Sequence, residues 1–502
     1  MFTNMSPYVR YRLYEILPGA LTWGVLLLGV GLSFLRPLWM IYFIIVFDLY
    51  WVYRVLYFSL FLIISWRRFH TAQRILWMDR TRALAGWENM YHLVFLPMYD
   101  EEIEVVRATL NHLVRGSYPA DKMMIVLAGE ERKREHFEQV CAVLTQEFGG
   151  SFFRFWTTLH PHNLPDEIPG KGSNLNYAGY EAKKFIDELG LPYERVIVSA
   201  FDVDTIVHRE YFAYLTHEYL THPDPTHTSF QPVALYNNNI WESPSVLRIM
   251  SFGTTFWLLF ALARPHTITT FSSHSMSFKA LVDVGFWQKD IVSEDSRIFL
   301  QCFLRYNGRY RVQPLYIPVS MDTARDDRWW GSMKNLYKQQ RRWAWGVEHV
   351  PYLLWHFRLK KNIPWRLRAR LLWYQLEGKF SWATTALILL LFGRLPLWVA
   401  GDVVQKTAIF QNTPHILEWL MVIAMVGLLL SLSLSMLLLP PPPRTVKRHT
   451  FLMMLLQWLL LPVSLILVSA IPAIDAQTHL MRGRYLGFNV SQKKRVFSIE
   501  HA

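Results

Sequence analysis

Residues 16–35 (ILPGALTWGVLLLGVGLSFL) carry no charged side chain. A helix of about 20 apolar residues, rising about 1.5 Å each, crosses the roughly 30 Å hydrocarbon core of a bilayer. Only Arg36-Pro37 separates this run from a second one, 38–65, which Asp48 and Arg54 interrupt. The pair reads as a transmembrane hairpin. A signal peptide is the competing reading, but the second run follows at once and no small-residue cleavage site is evident. Further apolar runs lie near 380–400, 415–439 and 451–474, with Pro440 to Pro443, Arg444, Lys447 and Arg448 between the last two. A chain laid out this way must build its water-facing unit from the stretch between the two apolar regions.

Arg10 and Arg12 stand before the hairpin, and Arg67, Arg68, Arg74 and Arg80 after it. Basic flanks stay on the cytoplasmic side, so both hairpin ends are expected there, in a cell (inner or plasma) membrane. The same flanks account for a formal net charge of +13. No Lys/Arg-rich tract with interleaved aromatics dominates, so membrane lipids are expected as partners and nucleic acid is not. The 21 Trp agree, because Trp gathers at membrane–water interfaces. Cys141 and Cys302 alone make neither a disulfide framework nor a cysteine-built zinc site. His208, His217, His222 and His227 fit no zinc spacing, and Pro223 and Pro225 among them suggest a loop.

Residues 88–365 change character. His92 to Pro97, Lys122 to Ala128 (KMMIVLA) and Arg195 to Ala200 (RVIVSA) are short apolar runs of buried-strand length. Helical stretches lie between them, near 101–115, 132–147 and 174–189. Strands alternating with helices suggest a parallel or mixed α/β sheet. Such sheets bind ligands beyond the carboxyl ends of their strands, where Tyr99, Glu101 and Asp202 fall.

Three motifs carry candidate chemistry. Asp202-Val203-Asp204 follows the third run; at a strand end alternate residues point the same way, so both carboxylates can face one site. Paired carboxylates suit a hard divalent cation shared with substrate phosphates, although a solvated strand end looks the same. Ser293-Glu294-Asp295-Ser296 could supply a general base, or simply acids that favour a helix N-terminus. Gln339-Gln340-Arg341-Arg342-Trp343 could pair Arg342 with phosphate and stack Trp343 on a sugar ring, or form a basic helix lying on the bilayer. Upstream, Gly170-Lys171-Gly172-Ser173-Asn174-Leu175-Asn176 lacks the Walker A spacing but offers a cation and amides near a helix start.

In this order the motifs resemble the processive family-2 glycosyltransferases, the cellulose, chitin and hyaluronan synthases and their bacterial relatives. The matching segments are Pro97-Met98-Tyr99-Asp100-Glu101, Lys171 to Asn176, Asp202-x-Asp204, Ser293-Glu294-Asp295 and Gln339-x-x-Arg342-Trp343. In the tail, Phe488-Asn489-Val490-Ser491-Gln492-Lys493 is similar to the gating loop of cellulose synthases. The resemblance implies a GT-A α/β cytosolic domain combined with an α-helical transmembrane region. It implies a nucleotide-diphosphate sugar donor, a UDP-sugar rather than a GDP-sugar. Tyr99 and Glu101 would hold base and ribose, with Lys171 and Asp202 also on the nucleotide. Asp204, with Asp202, would hold Mg2+ or Mn2+. Asp295, beside Glu294, would deprotonate the acceptor, while Gln339, Arg342 and Trp343 would position diphosphate and acceptor. Phe488, Val490, Ser491 and Lys493 would close over the nucleotide. Two places depart from the pattern: Ala128-Gly129-Glu130-Glu131 replaces an Asp after the second strand, and Thr270-Phe271-Ser272-Ser273-His274 replaces the acceptor segment.

The layout expected is a hairpin over 1–70, a catalytic domain with interfacial helices over 71–365, a membrane region over 366–475 and a cytosolic tail over 476–502. The expected function is sugar transfer to a growing polysaccharide with export through the chain's own spans. Single transfer to a lipid acceptor such as a polyprenyl phosphate, and a membrane receptor without turnover, are the alternatives. Two spans before the domain and three after would put the tail on the far side, whereas its motif and Lys493-Lys494-Arg495 belong on the domain side. One C-terminal run is therefore expected to be interfacial, or one span is unrecognised.

Overall fold

The computed structural model describes residues 6–444 and 446–487. Phe488, Val490, Ser491 and Lys493 therefore lie outside the described residues. The chain opens with helix α1, Pro7–Leu35, capped by the Ser6 hydroxyl, which accepts from the Val9 amide at 3.3 Å. Pro37 cannot continue that helix and instead starts α2, Pro37–Ala72.

The middle of the chain folds around one eight-stranded mixed sheet, in the order β3-β2-β1-β4-β7-β6-β8-β5. The strands are β1 Tyr91–Pro97, β2 Met123–Glu130, β3 Arg154–His160, β4 Val196–Ala200, β5 Ile206–Val207, β6 Thr228–Tyr236, β7 His274–Ser277 and β8 Arg311–Met321. β1 to β4 pair in parallel; β7 runs antiparallel to β4 and to β6, and β8 runs parallel to β6. Six strands thus point the same way, and the carboxyl ends of β1, β2, β3, β4, β6 and β8 share one edge. β2 and β4 are buried along their whole length, which their unbroken apolar runs require of central strands.

The connecting helices include α3 Ile103–Val114, α4 Arg134–Phe148, α5 Lys171–Glu188, α6 Tyr211–Thr221 and α7 Ser245–Leu262. Beyond them come α8 Glu294–Arg305, α9 Trp329–Ala344 and α10 His349–Leu359. The first three match the expected helical stretches, with α5 starting earlier, at Lys171. α7 is an apolar 18-residue helix that no sequence signal had marked; its window is 67% buried, so it packs inside the protein rather than facing lipid along its length.

The C-terminal region contains α11 Trp365–Phe392, α12 Ala408–Leu437, α13 Arg448–Leu456 and α14 Ile471–Met481. Among the described residues six helical segments, α7 among them, are long and apolar enough to cross a membrane, which suggests a membrane protein. α1 and α11 cross at their far ends, where the bare Gly29 accepts the Phe392 ring; a Cβ there would lie 2.1 Å from it. α12 returns along α2, and the Trp241 indole donates to the Pro440 carbonyl at 3.1 Å, so the chain re-emerges against the domain.

The last apolar run, 448–481, is irregular. Between α13 and α14 the backbone passes through a 3-10 turn at Gln457–Leu460, a short helix at Leu461–Leu465 and a π-helix at Ile466–Ala470. Pro462 and Pro472 each remove one helical hydrogen-bond donor, and the run changes helix type around them without leaving the helical region. At its start, the Trp458 indole donates to the Ser435 hydroxyl at 3.2 Å, near the domain end of α12. At its finish, Arg12 donates to the carbonyls of Leu480 (3.3 Å) and Met481 (3.0 Å), and the Tyr485 hydroxyl donates to Glu15 at 2.8 Å. α1 enters from the domain side, so both ends of 448–481 lie there. The run expected near 451–474 thus changes helix type along its length and has both ends on the domain side.

Candidate active site

The shared carboxyl edge gathers the motifs. Register aligns Pro97 of β1 with Ala128 of β2, and Phe95 with Ala200 of β4. The Met98 amide donates to the Ala128 carbonyl at 2.8 Å, and so does the Asn174 side-chain amide, at 2.7 Å. That bond fixes the start of α5 against the ends of β1 and β2. Tyr99 lies under Arg132, whose guanidinium stands 4.9 Å from its ring, and Glu101 accepts from the Tyr99 and Asp100 amides. Glu130 ends β2 and is ion-paired with Arg132, so the acidic position after the second strand is filled by a neutralised glutamate.

Lys171 is the first residue of α5, and it reaches across the edge. Its ammonium stands 2.9 Å from Asp202 Oδ1, 2.9 Å from Asp295 Oδ1 and 3.7 Å from Glu294 Oε1. Burial works against the charge, but the carboxylates, Asp202 first, then Asp295 and Glu294, hold its pKa well above the usual lysine range. Gly172 permits this approach: a Cβ there would lie 3.0 Å from the Gln288 carbonyl oxygen and 3.3 Å from Glu294 Cβ.

Glu294 and Asp295 occupy the first turn of α8, where the helix dipole favours acids. The two differ in exposure. The Glu294 side chain is 3% exposed and Asp295 26%, so only Asp295 offers a surface to a ligand. Burial, and then the charge of Asp295, push the Glu294 carboxyl up, against the pull of Lys171 and Arg342.

Asp202-Val203-Asp204 corrects one expectation. The segment does not extend β4 but turns, with the Thr205 amide donating to the Asp202 carbonyl at 2.9 Å. The strand alternation that would aim both carboxylates alike does not apply. Asp202 is partly exposed and faces Lys171, while Asp204 is buried and accepts from the Asp322 amide at 2.8 Å. Both still act on Tyr236 at the end of β6, whose hydroxyl is pushed up by burial and then by Asp202, Asp295 and Asp204. Among the described residues no three His, Cys, Asp or Glu side chains gather as a protein-built metal site.

The clamp motif lies on α9. Gln339 is buried, and Arg342 bears on Glu294. Trp343 packs between Tyr236 and Phe271, with ring centroids 5.7 and 5.9 Å apart. Arg341 and Tyr337 each bind Asp475 of α14 at 3.1 Å, which ties the clamp helix to the last apolar run.

Sequence reasoning underrated three groups. The segment 270–274 wraps the candidate base: the Thr270 hydroxyl donates to the Asp295 carbonyl, and Ser272 adopts a left-handed φ of 44°. Asp322 ends the apolar strand β8 much as Asp202 follows β4, a signal that was available. Behind α8, the buried His349 bonds the Ser296 hydroxyl at 2.7 Å, and Ser293 donates to Glu348 at 2.8 Å. No spacing rule links those residues.

A family model described as glycosyl transferase family group 2 matches residues 197–473. No curated protein matches the chain. Among solved structures, the mannosyltransferase PcManGT from Pyrobaculum calidifontis, in complex with GDP-Man and Mn2+, is similar at 14% identity and a TM-score of 0.41, over 74% of this chain and 99% of that one. S. aureus TarS 1–349 with UDP-GlcNAc is similar at 13% identity and a TM-score of 0.34, over 67% and 89%. GalNAc-T7 with UDP, GalNAc and Mn2+ is similar at 9% identity and a TM-score of 0.32, over 65% and 55%.

Proposed function

The chain belongs to glycosyl transferase family group 2, and from that premise we propose that it is a membrane-embedded inverting transferase that extends a polysaccharide on the cytosolic face. The observation that carries this reading is the Lys171 ammonium, 2.9 Å from both Asp202 and Asp295. One cation there joins the acid assigned to the donor with the acid assigned to the acceptor.

Tyr99 and Glu101 hold the nucleoside of a nucleotide-diphosphate sugar, a UDP-sugar by preference. Lys171 and Asp202 meet its diphosphate side. Asp295 takes the proton of the acceptor hydroxyl as that oxygen bonds to the anomeric carbon and the nucleoside diphosphate leaves from the opposite face. Arg342 offsets charge on the leaving group, where it is worth most, in the transition state. Gln339 lies beside it, and Trp343, held by Tyr236 and Phe271, offers a ring face to the acceptor glycan.

Asp202 and Asp204 are the residues that would hold a divalent metal of the Mg2+ or Mn2+ kind, though Asp202 faces Lys171 and Asp204 the Asp322 amide. Asp202 and Asp204 supply two carboxylates, and such ions complete their shell with water and substrate phosphate. When bound, the ion would neutralise the diphosphate.

The basic flanks favour a cytosolic domain, and the return of 448–481 to the domain side favours a cytosolic tail. Phe488, Val490, Ser491 and Lys493, outside the described residues, would then cover the nucleotide as the resemblance implies. Single transfer to a lipid acceptor such as a polyprenyl phosphate is the second reading, favoured by the departure of 270–274 from the polymerase pattern. The test is incubation of the purified protein with Mg2+ or Mn2+ and a panel of UDP- and GDP-sugars, following nucleotide release and product length. Release with one donor and a product ladder supports polymer synthesis. A single short lipid-linked product selects the second reading, and release with no donor overturns both.

A further inference from the structure

We propose that Glu348 is a positioning residue for the candidate base: it braces the N-terminal end of α8, which carries Asp295, against the apolar helices α1, α11 and α14. Glu348 lies just beyond the clamp motif and just before α10. The Ser293 hydroxyl donates to its Oε1 at 2.8 Å and the Trp345 indole to its Oε2 at 2.9 Å, so each carboxylate oxygen holds one donor. Ser293 occupies the N-cap position of α8 yet does not cap it. A serine there ordinarily accepts from amides of the helix's own first turn. Here the hydroxyl is committed outward, to Glu348.

A second set of bonds, one turn along, fixes the same end. Arg297 donates to His349 Nδ1 through Nε (3.3 Å) and Nη2 (3.2 Å), and to the Gln288 side chain at 2.9 Å. An accepting Nδ1 leaves the hydrogen on Nε2, which donates to the Ser296 hydroxyl at 2.7 Å. Burial, and then Arg297, hold the His349 pKa well below its usual value, so the ring stays neutral. Arg297 also lies over the Tyr352 ring at 3.8 Å. Glu348 and His349 thus grip Ser293, Ser296 and Arg297, and the carboxylates Glu294 and Asp295 stand between the gripped positions.

The other side of the brace is the helical bundle. Lys379 of α11 faces Glu348, and Gly346 makes the room: a Cβ there would lie 3.0 Å from the Lys379 Nζ. The Lys379 carbonyl accepts from Gln477 of α14 at 3.0 Å, and the Gln477 side chain accepts in turn from Thr22 of α1 at 2.7 Å. One junction therefore joins three apolar helices to the turn that bears the base. The stretch 339–349 supplies both the clamp and the brace. Such a brace matters to rate, because a misplacement of about 1 Å in a reacting group costs up to about 10²-fold.

Burial pushes the Glu348 carboxyl up to about 7, against the pull of Arg297, Ser293 and Trp345. The other groups facing it are Asp290 before α8, Lys379 of α11 and the Tyr11 phenol of α1. Above that value it is a carboxylate and holds both donors. Below it, the protonated group keeps one good acceptor oxygen for two donors. The inference rests on the assignment of Asp295 as base, and the Asp295→Asn variant keeps the two failures apart.

The full chain in detergent is assayed at pH 8 for nucleotide release, with donor affinity by calorimetry and a melting temperature for every variant. Ser293→Ala and Glu348→Gln are expected to lower kcat by about 5- to 100-fold, the second more than the first. Donor affinity should stay within about twofold, since the base acts on the acceptor. The double variant should be no worse than Glu348→Gln alone, because both changes break one bond. Ser293→Thr, which keeps the hydroxyl, should restore the rate, and Glu138→Gln, exposed on α4, should match the parent. The ratio of parent to Glu348→Gln should shrink as pH falls from 8 to 6. Unchanged kcat in both single variants overturns the proposal. So does a loss of donor affinity in step with kcat, which would mark general damage, and so do losses that multiply in the double variant. If Glu348→Gln does not fold, Ser293→Ala, which leaves every charge in place, decides alone. Turnover by Asp295→Asn at the parent's rate would sink the base assignment and the brace with it. An inactive Asp295→Asn beside a fully active Glu348→Gln would sink the brace only.

Discussion

The Nζ of Lys171 and the Oδ1 of Asp295 are 2.9 Å apart, although the two residues are 124 positions apart in the chain. The same ammonium is equally close to Asp202. Without donor, the candidate base is therefore held by the cation that the diphosphate would claim. On the proposed mechanism, donor arrival would draw Lys171 toward phosphate and release Asp295 for the acceptor. Lys171→Met is expected to raise the donor KM at least tenfold and lower kcat as well, because both partners lose their organiser. Steady-state kinetics with varied donor measure this; an unchanged donor KM would remove Lys171 from the nucleotide site.

Asp295→Asn keeps the size and the Thr270 contact, which uses the backbone carbonyl, but cannot take a proton. Its kcat is expected to fall by about 10²- to 10⁴-fold while donor binding persists. Glu294→Gln, at the buried neighbour, should cost far less. Calorimetric donor titration beside turnover separates the two roles, and equal losses at both positions would refute the assignment.

Gly172 lies where α5 meets the first turn of α8. The Cβ of Gly172→Ala would press on the Gln288 carbonyl and on Glu294 Cβ, and two backbones would have to part. The expected cost is about 1–3 kcal/mol of stability, with activity falling further because Lys171 moves away from Asp295. Gly150→Ala, where nothing lies within 4 Å, is the matched control. Chemical denaturation of both variants provides the measurement.

His92 in β1 is fully buried, and burial holds its pKa down at about 3 against 6.5. Below pH 6.5 the unfolded chain takes up a proton that the folded one refuses. Stability is therefore complete above 6.5 and lost as pH falls toward 3, by up to about 1.4 kcal/mol per unit. His92→Asn should flatten that slope. Melting temperatures in detergent between pH 7 and 4 decide it.

The segment after α14 returns to the domain side, with Tyr485 bonded to Glu15. A cysteine placed at Gly487 should react with an impermeant maleimide only from the side that also exposes the domain. Labelling from the opposite face of sealed vesicles would contradict the reading that both ends of 448–481 lie on the domain side.

Much of this was legible in the sequence where one local rule acts alone. β1, β2 and β4 announce themselves because central parallel strands are buried on both faces and carry no alternation to disguise them. α1 and α2 follow from length and the Arg36-Pro37 break. The turn at Asp202 was not legible, because whether a chain extends or turns after a strand depends on what waits beside it, here the Asp322 amide. That one C-terminal run would be interfacial was expected, but not which one, because apolar length measures what a segment tolerates, while the partners Ser435, Arg12 and Glu15 decide the path of 448–481. α7 escaped because an apolar helix inside a protein and one inside a bilayer have the same composition. His349 and Glu348 support α8 through pairings that exist only in three dimensions.

The hydrophobic core does not respect the line between enzyme and anchor. Leu62 and Phe69 of α2, Leu434 of α12, Met454 of α13 and Trp458 belong to the same packed cluster as the sheet residues Val94, Val126 and Val198. Among the described residues Arg341 of the clamp helix finds its acid on α14. The catalytic half is consequently not a detachable module. A version trimmed to 73–364 for expression in water would present a torn interior as its surface and would leave its clamp without a counterweight. Transplanting the enzyme to another scaffold therefore means carrying the helices too.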